Sequence, residues 1–416
     1  MKFIFADAQD TIDPNYDFLN DEFSADRVLQ RTDKYPHEVF EKKPYDGMLI
    51  SRGLLDDGVY KSSSKAYSAA QSRRLRLQGV KKFLRYYDGE IFGDNGAFSY
   101  HKLDEPPYSV AETVNFYEDC GFDYGMSVDH IIFEYDKRFD TDAEFDDNFK
   151  VTETMQKRYD ITLNNAKKFL HECKIQNVNF HPIGVVQAWS PKSMRSAARS
   201  LIEMGYDYIA IGGLVPLDAN LCEEIVAAIR DEIGLEIKMH LLGFAKAKQL
   251  ERFVKYKITS FDSTSPLIKA FKDSKDNYFT PTKHYTAVRI PSSDTTAALK
   301  RKISSGELDQ NSAQSLEKQA LNAIREYDKG NSSLEYTLQC LEAYEKIFRD
   351  KVPLDRYKAI LSSKYWQVCS CEICQSAKIE TIIFRNSNRN RRRGFHNLWQ
   401  FQRELEELRE GHNIQC

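Results

Sequence analysis

Residues 206–243, YDYIAIGGLVPLDANLCEEIVAAIRDEIGLEIKMHLLG, decide the fold. YDYIAIGG (206–213) is a short run rich in aromatic and β-branched residues, closed by a glycine pair. ANLCEEIVAAIRDEIG (219–234) carries apolar residues at helical spacing and stops on glycine, and IKMHLLG (237–243) is a second apolar run. Strand, covering helix and strand in that order predict a parallel βαβ unit.

The same punctuation extends in both directions. Toward the N-terminus, FDYGMSV (122–128) precedes a long polar–apolar stretch over 142–172, and NFHPIGVVQ (179–187) precedes PKSMRSAARSLIEMG (191–205). Toward the C-terminus, AKAKQLERFVKY (245–256) is followed by KITSFD (257–262) and SPLIKAFKD (265–273). KFIFADA (2–8), YDGMLISRG (45–53) and the region 75–100 supply further strands. Seven or eight strands in this rhythm favour a closed α/β barrel over an open doubly wound sheet. The open sheet calls for a glycine-rich first turn, and ADAQDTIDPN has none.

Beyond the barrel, 274–305 reads as loop or extended crossing, and three helical strings follow between 307 and 367. The second has a capping box expected from Ser332 to Glu335. SNRNRRRGF (387–395) is the most basic segment, and HNLWQFQRELEELRE continues it as a helix. The expected division is a barrel domain over 1–290 and a helical, metal-binding region over 291–416 that closes against it.

The formal net charge of −3 over 416 residues excludes a bulk polycation, so any nucleic-acid surface must be local. The N-terminus lacks a secretory pattern and no apolar run reaches membrane-spanning length, which predicts a soluble, cytoplasmic protein. Eight cysteines are too few for a disulfide scaffold. Cys120, Cys173, Cys222 and Cys340 sit in apolar or helical contexts and read as buried thiols, and Cys416 is terminal. Cys369, Cys371 and Cys374, in CSCEIC, have the look of metal ligands, against the alternative of ordinary thiols. Three thiolates leave a tetrahedral ion one ligand short, and His396 is the candidate fourth unless it only caps the helix that it heads. Such a closed site is structural, so the chemistry belongs on the barrel.

Several strings now fall into one order. CSCEIC with a later HNL, GVVQAW (184–189), YDYIAIGGL (206–214), LLG (241–243), SFDSTSP (260–266) and GDNGAFSY (93–100) together resemble the tRNA-guanine transglycosylase superfamily. That resemblance implies a (β/α)8 TIM barrel with a zinc-binding appendage and the exchange of guanine for a 7-deazaguanine base. Asp262 would be the nucleophile and Asp94 the general acid/base. Asp129 would read the base edge, with Gln187, Gly213, Leu242 and Gly243 lining the pocket. Cys369, Cys371, Cys374 and His396 would hold a structural Zn2+.

The chain departs from the family where GDNGAFSY stands in place of DSGGFQ and GVVQAW in place of GVVQGG. These changes are similar to the DNA-modifying DpdA branch, which implies DNA as substrate, 7-cyano-7-deazaguanine as incoming base, companion DNA-modification proteins and a possible homodimer. A tRNA enzyme and a non-catalytic nucleic-acid-binding subunit are the alternatives. Flipping a nucleotide out of a duplex requires backbone contacts, for which Arg385, Arg389, Arg391, Arg392 and Arg393 are the candidates. A second basic stretch comprises Arg73, Arg74, Arg76, Lys81 and Lys82. Independently of the family, Asp94, Asp129, Gln187, Gly213, Gly243 and Asp262 all fall at predicted strand ends, which a barrel brings to one mouth.

Overall fold

The computed structural model describes residues 1–7, 9–55, 67–140, 149–244 and 247–413. Cys416 and the first residues of the stretch expected to be helical from 142 lie outside them. Eight strands form the barrel: β1 (Lys2–Ala6), β2 (Gly47–Ser51), β3 (Glu90–Asp94), β4 (Tyr124–Met126), β5 (His181–Val186), β6 (Tyr208–Ile211), β7 (Lys238–Leu241) and β8 (Ser260–Ser263). Every neighbouring pair is parallel, and β8 returns to β1 with Ile4 opposite Asp262, so the sheet closes without an edge. This is the predicted barrel, with the quoted βαβ unit as β6, the helix Ala219–Ile233 and β7.

The barrel is filled rather than hollow. Ile4, Leu49, Phe92, Ile183, Val185 and Tyr208 point inward from alternate strand positions and form one buried cluster. Outside it, Gly93 of β3 is paired in register with Gly125 of β4, and neither has a side chain. The Tyr117 ring from the helix Val110–Cys120 occupies that space, so a Cβ on either glycine would overlap it.

Helix boundaries follow local chemistry. Ser190 caps Pro191–Met204, accepting the Ser193 N–H at 3.2 Å, with proline in the first turn and Gly205 at φ 105° ending the helix. Elsewhere the reading needed adjustment. Residues 247–256 are 3-10 rather than α-helical, and the long helix after β4 is Glu153–Gln176.

Two compact units divide the chain: Met1–Gln9 with Tyr45–Thr264 and Leu408–Cys416, and Asp10–Pro44 with Ser265–Glu407. The boundary therefore follows β8 directly instead of falling at 290, and the 10–44 insertion joins the second unit. That insertion is irregular and knit by side chains: Asp13 accepts the Ser24 N–H at 2.8 Å, and Arg27 forks onto Asp33 at 2.7 and 2.8 Å. Hydrophobic periodicity gives no signal for such a segment.

The second unit contains the three expected helices, Gln310–Asp328, Leu334–Glu345 and Leu354–Ser363. The cap of the second is Ser333, one residue later than expected, accepting the Tyr336 N–H at 3.1 Å. Residues 274–305 hold short strands and the helix Ala297–Ser304. The last helix spans Ser387–Asn413 and includes the basic segment. Cys120, Cys173, Cys222 and Cys340 are buried, as read. Among the described residues, no helix is long and apolar enough to cross a membrane.

The Tyr117 packing is testable. Gly93→Ala lowers stability by about 1–3 kcal/mol, the usual cost of overpacking a filled core. A urea-unfolding midpoint equal to that of the parent would show that the ring yields freely.

Candidate active site and metal centre

The strand ends converge as expected. Asp94 is the last residue of β3, and Asp262 is the third residue of β8. Gln187 directly follows β5, Gly213 lies two residues beyond β6, and Leu242 and Gly243 directly follow β7. Asp129 is three residues beyond β4. All of these positions belong to the first unit.

Each carboxylate is held by a different device. Asp94 Oδ2 accepts the Gly96 N–H at 3.0 Å. Gly96 is at φ 76°, and a Cβ on it would run into Ser51 Oγ and the Gly53 backbone, so a side chain there would break this turn. Between them, Asn95 is buried and donates to the Met126 and Ser127 carbonyls at 3.0 Å each, tying the end of β3 to that of β4. Asp129 is buried and accepts from Gln187 Nε2 at 2.8 Å, while Gly212 gives the glutamine amide room. Leu242 is partly buried on the barrel core, and its N–H donates to the Ile211 carbonyl at 3.0 Å.

Asp262 Oδ1 accepts the Gly243 N–H at 2.8 Å and lies 3.1 Å from His240 Nε2. His240 is fully buried, with Nδ1 2.5 Å from Ser260 Oγ, which in turn is 2.6 Å from Tyr208 OH. Only one proton arrangement satisfies this whole chain with Asp262 ionised and His240 neutral. Tyr208 donates to Ser260, Ser260 to Nδ1, and Nε2–H to the carboxylate. The sequence reading missed His240, although its alternation with Leu242 along IKMHLLG was a usable signal.

The carboxylates also act on one another. Burial first, and then the charge of Asp262, raise Asp94 to a pKa of about 6. Burial and the charge of Asp94 raise Asp129 to about 7. One rim therefore carries an ionisable group poised near neutrality beside an anchored carboxylate. Phe98 also stands at this end, 64% exposed, with its ring centroid 6.0 Å from that of Phe133 and 5.7 Å from that of His101. It too went unnoticed in the sequence.

The arginine run corrects an expectation. Arg389 and Arg393 are fully buried and Arg392 nearly so. Arg389 pairs with Glu380 at 2.8 Å and with Asp21, and Arg385 pairs with Asp21 and with Glu317 at 2.5 Å. Arg392 donates to the Asp13 carbonyl at 2.6 Å and Arg391 to the Thr11 carbonyl at 3.2 Å. Arg393 is spent on the Thr381, Ile383 and Ala270 carbonyls. Buried charges persist only with such partners, so these side chains pin the 10–44 insertion and the chain after β8 to the last helix, not phosphates. In the second basic stretch, Lys81 is paired with Asp123 at 2.7 Å, while Arg73, Arg76 and Lys82 are exposed.

Cys369, Cys371, Cys374 and His396 come together in the second unit, all buried, with their ligand atoms within 4.8 Å of one another. His396 Nε2 is 2.8 Å from the Phe279 carbonyl, and the ring stacks on Tyr278 at 4.4 Å. Donation from Nε2–H turns the lone pair of Nδ1 toward the sulfurs, the orientation that a metal-binding imidazole requires. The cluster can hold a metal ion.

The Asp94 environment predicts a stability effect. A carboxyl whose folded pKa is raised favours folding least when ionised, so its cost develops as pH rises from about 4 through about 6. Asp94→Asn is therefore more stable than the parent at pH 8 by about 1–3 kcal/mol, the lower end allowing for solvent screening at the mouth, and the gain disappears below about pH 4. Denaturant titrations at the two pH values check it; a gain independent of pH would contradict it.

Comparison with known proteins agrees with this architecture. Residues 59–412 match the family described as Queuine tRNA-ribosyltransferase. A protein of Salmonella montevideo described as DNA-guanine transglycosylase is 44% identical over 405 residues, covering 96% of this chain and 95% of that protein. With the closed parallel barrel, the carboxylates at its mouth and the Cys3His cluster, these matches mean that the chain belongs to the queuine tRNA-ribosyltransferase family of transglycosylase enzymes.

Proposed function

We propose that this enzyme exchanges guanine in DNA for a 7-deazaguanine base, through a sugar ester on Asp262. The observation that carries the choice of DNA is the near full-length identity to a DNA-guanine transglycosylase. In the first step, Asp262 attacks C1′ of the target nucleotide as the C1′–N9 bond breaks, and Asp94 supplies the proton that the departing guanine takes up. In the second, N9 of the incoming base attacks C1′, the ester bond breaks, and the N9 proton passes to Asp94. Two displacements retain the anomeric configuration.

The surrounding residues have roles in this scheme. The Gly243 N–H and His240 both engage Oδ1 of Asp262, which directs Oδ2 at the sugar. The same two donors stabilise the carboxylate as it leaves C1′ in the second step. Burial of Asp94 brings its protonated form within reach near neutral pH, as an acid in the first step requires. Asp129, held by Gln187, would bind the polar edge of the base, and Gly213, Leu242 and Gly243 would form the pocket wall. Phe98 offers its exposed face to a nucleobase drawn out of the stack.

Zinc is the ion proposed for the Cys3His cluster. The three sulfurs lie 3.3–3.7 Å from His396 Nδ1. Tetrahedral zinc with bonds of about 2.3 Å to sulfur and about 2.0 Å to nitrogen separates such ligands by about 3.5 Å. Four buried protein ligands leave no place for substrate, so the ion would tie the last helix, through His396, to the 369–374 segment.

Two experiments test this. Labelled 7-cyano-7-deazaguanine is incubated with duplex DNA or with tRNA, using the protein alone and with the products of neighbouring genes. Label enters DNA; label only in tRNA, or in neither, would overturn the proposal. Asp262→Ala abolishes transfer by at least about a thousandfold. His240→Phe slows it by about 10- to 100-fold, the cost of one hydrogen bond to a charged group, and His240→Gln, which restores an N–H, recovers part of the loss. Elemental analysis finds one zinc per chain, and His396→Ala loses zinc and lowers the thermal midpoint. Full stability without bound metal would refute the bracing role.

A further inference from the structure

The buried arginine run leaves a DNA enzyme without its expected phosphate contacts, and the second unit contains a different basic feature. A cavity of about 1050 Å³ is lined from three chain segments, within 271–277, 286–289 and 349–357, together with Phe384. Lys272, Arg289, Arg349, Lys351 and Arg356 all line it. Arg349 is tied to Glu345 at 3.1 Å. The other four are exposed, and among the described residues none has a carboxylate within ion-pair distance. Two carboxylates, Asp273 and Asp355, also line the cavity. Asp273 Oδ1 is occupied by the Lys275 and Asp276 N–H groups at 2.8 and 3.0 Å.

We infer that this cavity is the seat of a DNA strand's phosphates during base exchange, a statement that rests on the DNA reading above. The chain as a whole carries a net charge of −3, so a concavity lined by five cations and two carboxylates is a local positive excess that stands out from its average surface. A bound polyanion complements that excess, and a concave wall focuses the field on it. Pockets for small molecules have mainly apolar walls with a few convergent polar groups. Here flexible cationic side chains from separate segments ring the opening, as suits successive phosphates on a backbone that positions a duplex without reading its sequence. Arg289 is braced from below, since its backbone N–H donates to Tyr357 OH at 3.2 Å and that hydroxyl also engages buried Glu345.

The test is the salt dependence of duplex binding by the full-length chain, read by fluorescence anisotropy, for the parent and for a variant combining K272A, R289A, K351A and R356A. Each phosphate contact contributes about 0.9 to the slope of log K against log salt. The variant's slope is expected to be shallower by about 3.6, with affinity at low salt reduced at least about tenfold and the thermal midpoint unchanged, because all four side chains are exposed. An unchanged slope in a variant whose parent labels DNA would overturn this inference alone. A parent that neither binds nor labels DNA would overturn the DNA reading and this inference with it. A variant that lost binding of a free nucleoside triphosphate, or of tRNA, while keeping its DNA slope would assign the cavity to that ligand instead.

Discussion

Two carboxylates that cannot comfortably be ionised together are the constraint on which the site depends. Asp262 has its Oδ1 fixed by a backbone N–H and a buried imidazole. Its charge, added to burial, keeps Asp94 near pH neutrality. The same repulsion passes from Asp94 to Asp129. In the proposed mechanism, a nucleophile and an acid would thereby be separated in role by their surroundings, although they are the same residue type. The barrel makes this possible by ending parallel strands at one rim, where side chains far apart in sequence share a field.

The fold was legible because its signals were local and repeated. Short apolar runs punctuated by glycine, serine or proline, alternating with amphipathic strings, locate β5 to β8 to within a few residues. The gathering of residues at one rim was legible for a related reason, since a parallel barrel ends all its strands on the same side. His240 was harder to find, because its role comes from Ser260 and Tyr208 on two other strands, and only barrel closure makes that chain of hydrogen bonds. Phe98 gave no periodic signal because it lies in an irregular loop.

The second unit shows where charge density misleads. Five arginines within nine residues read as a solvent-facing patch, yet most of them satisfy carbonyls and carboxylates that sequence distance concealed: Asp13 and Asp21 in the insertion, Glu317 and Glu380 further along. An insertion held by polar contacts has no hydrophobic period, so neither it nor the partners that it supplies could be anticipated. The cysteine cluster was read correctly as a constellation because ligand chemistry, unlike charge, limits the partners: three thiolates require a fourth donor, and His396 is brought there by the last helix.

The most direct test of the account is to quench the enzyme during turnover on duplex DNA and locate any covalent sugar adduct by peptide mass spectrometry. The account places it on the carboxylate of Asp262, in the peptide that contains β8. An adduct on Asp94 or Asp129, or sustained turnover by a chain lacking the Asp262 carboxylate, would contradict it.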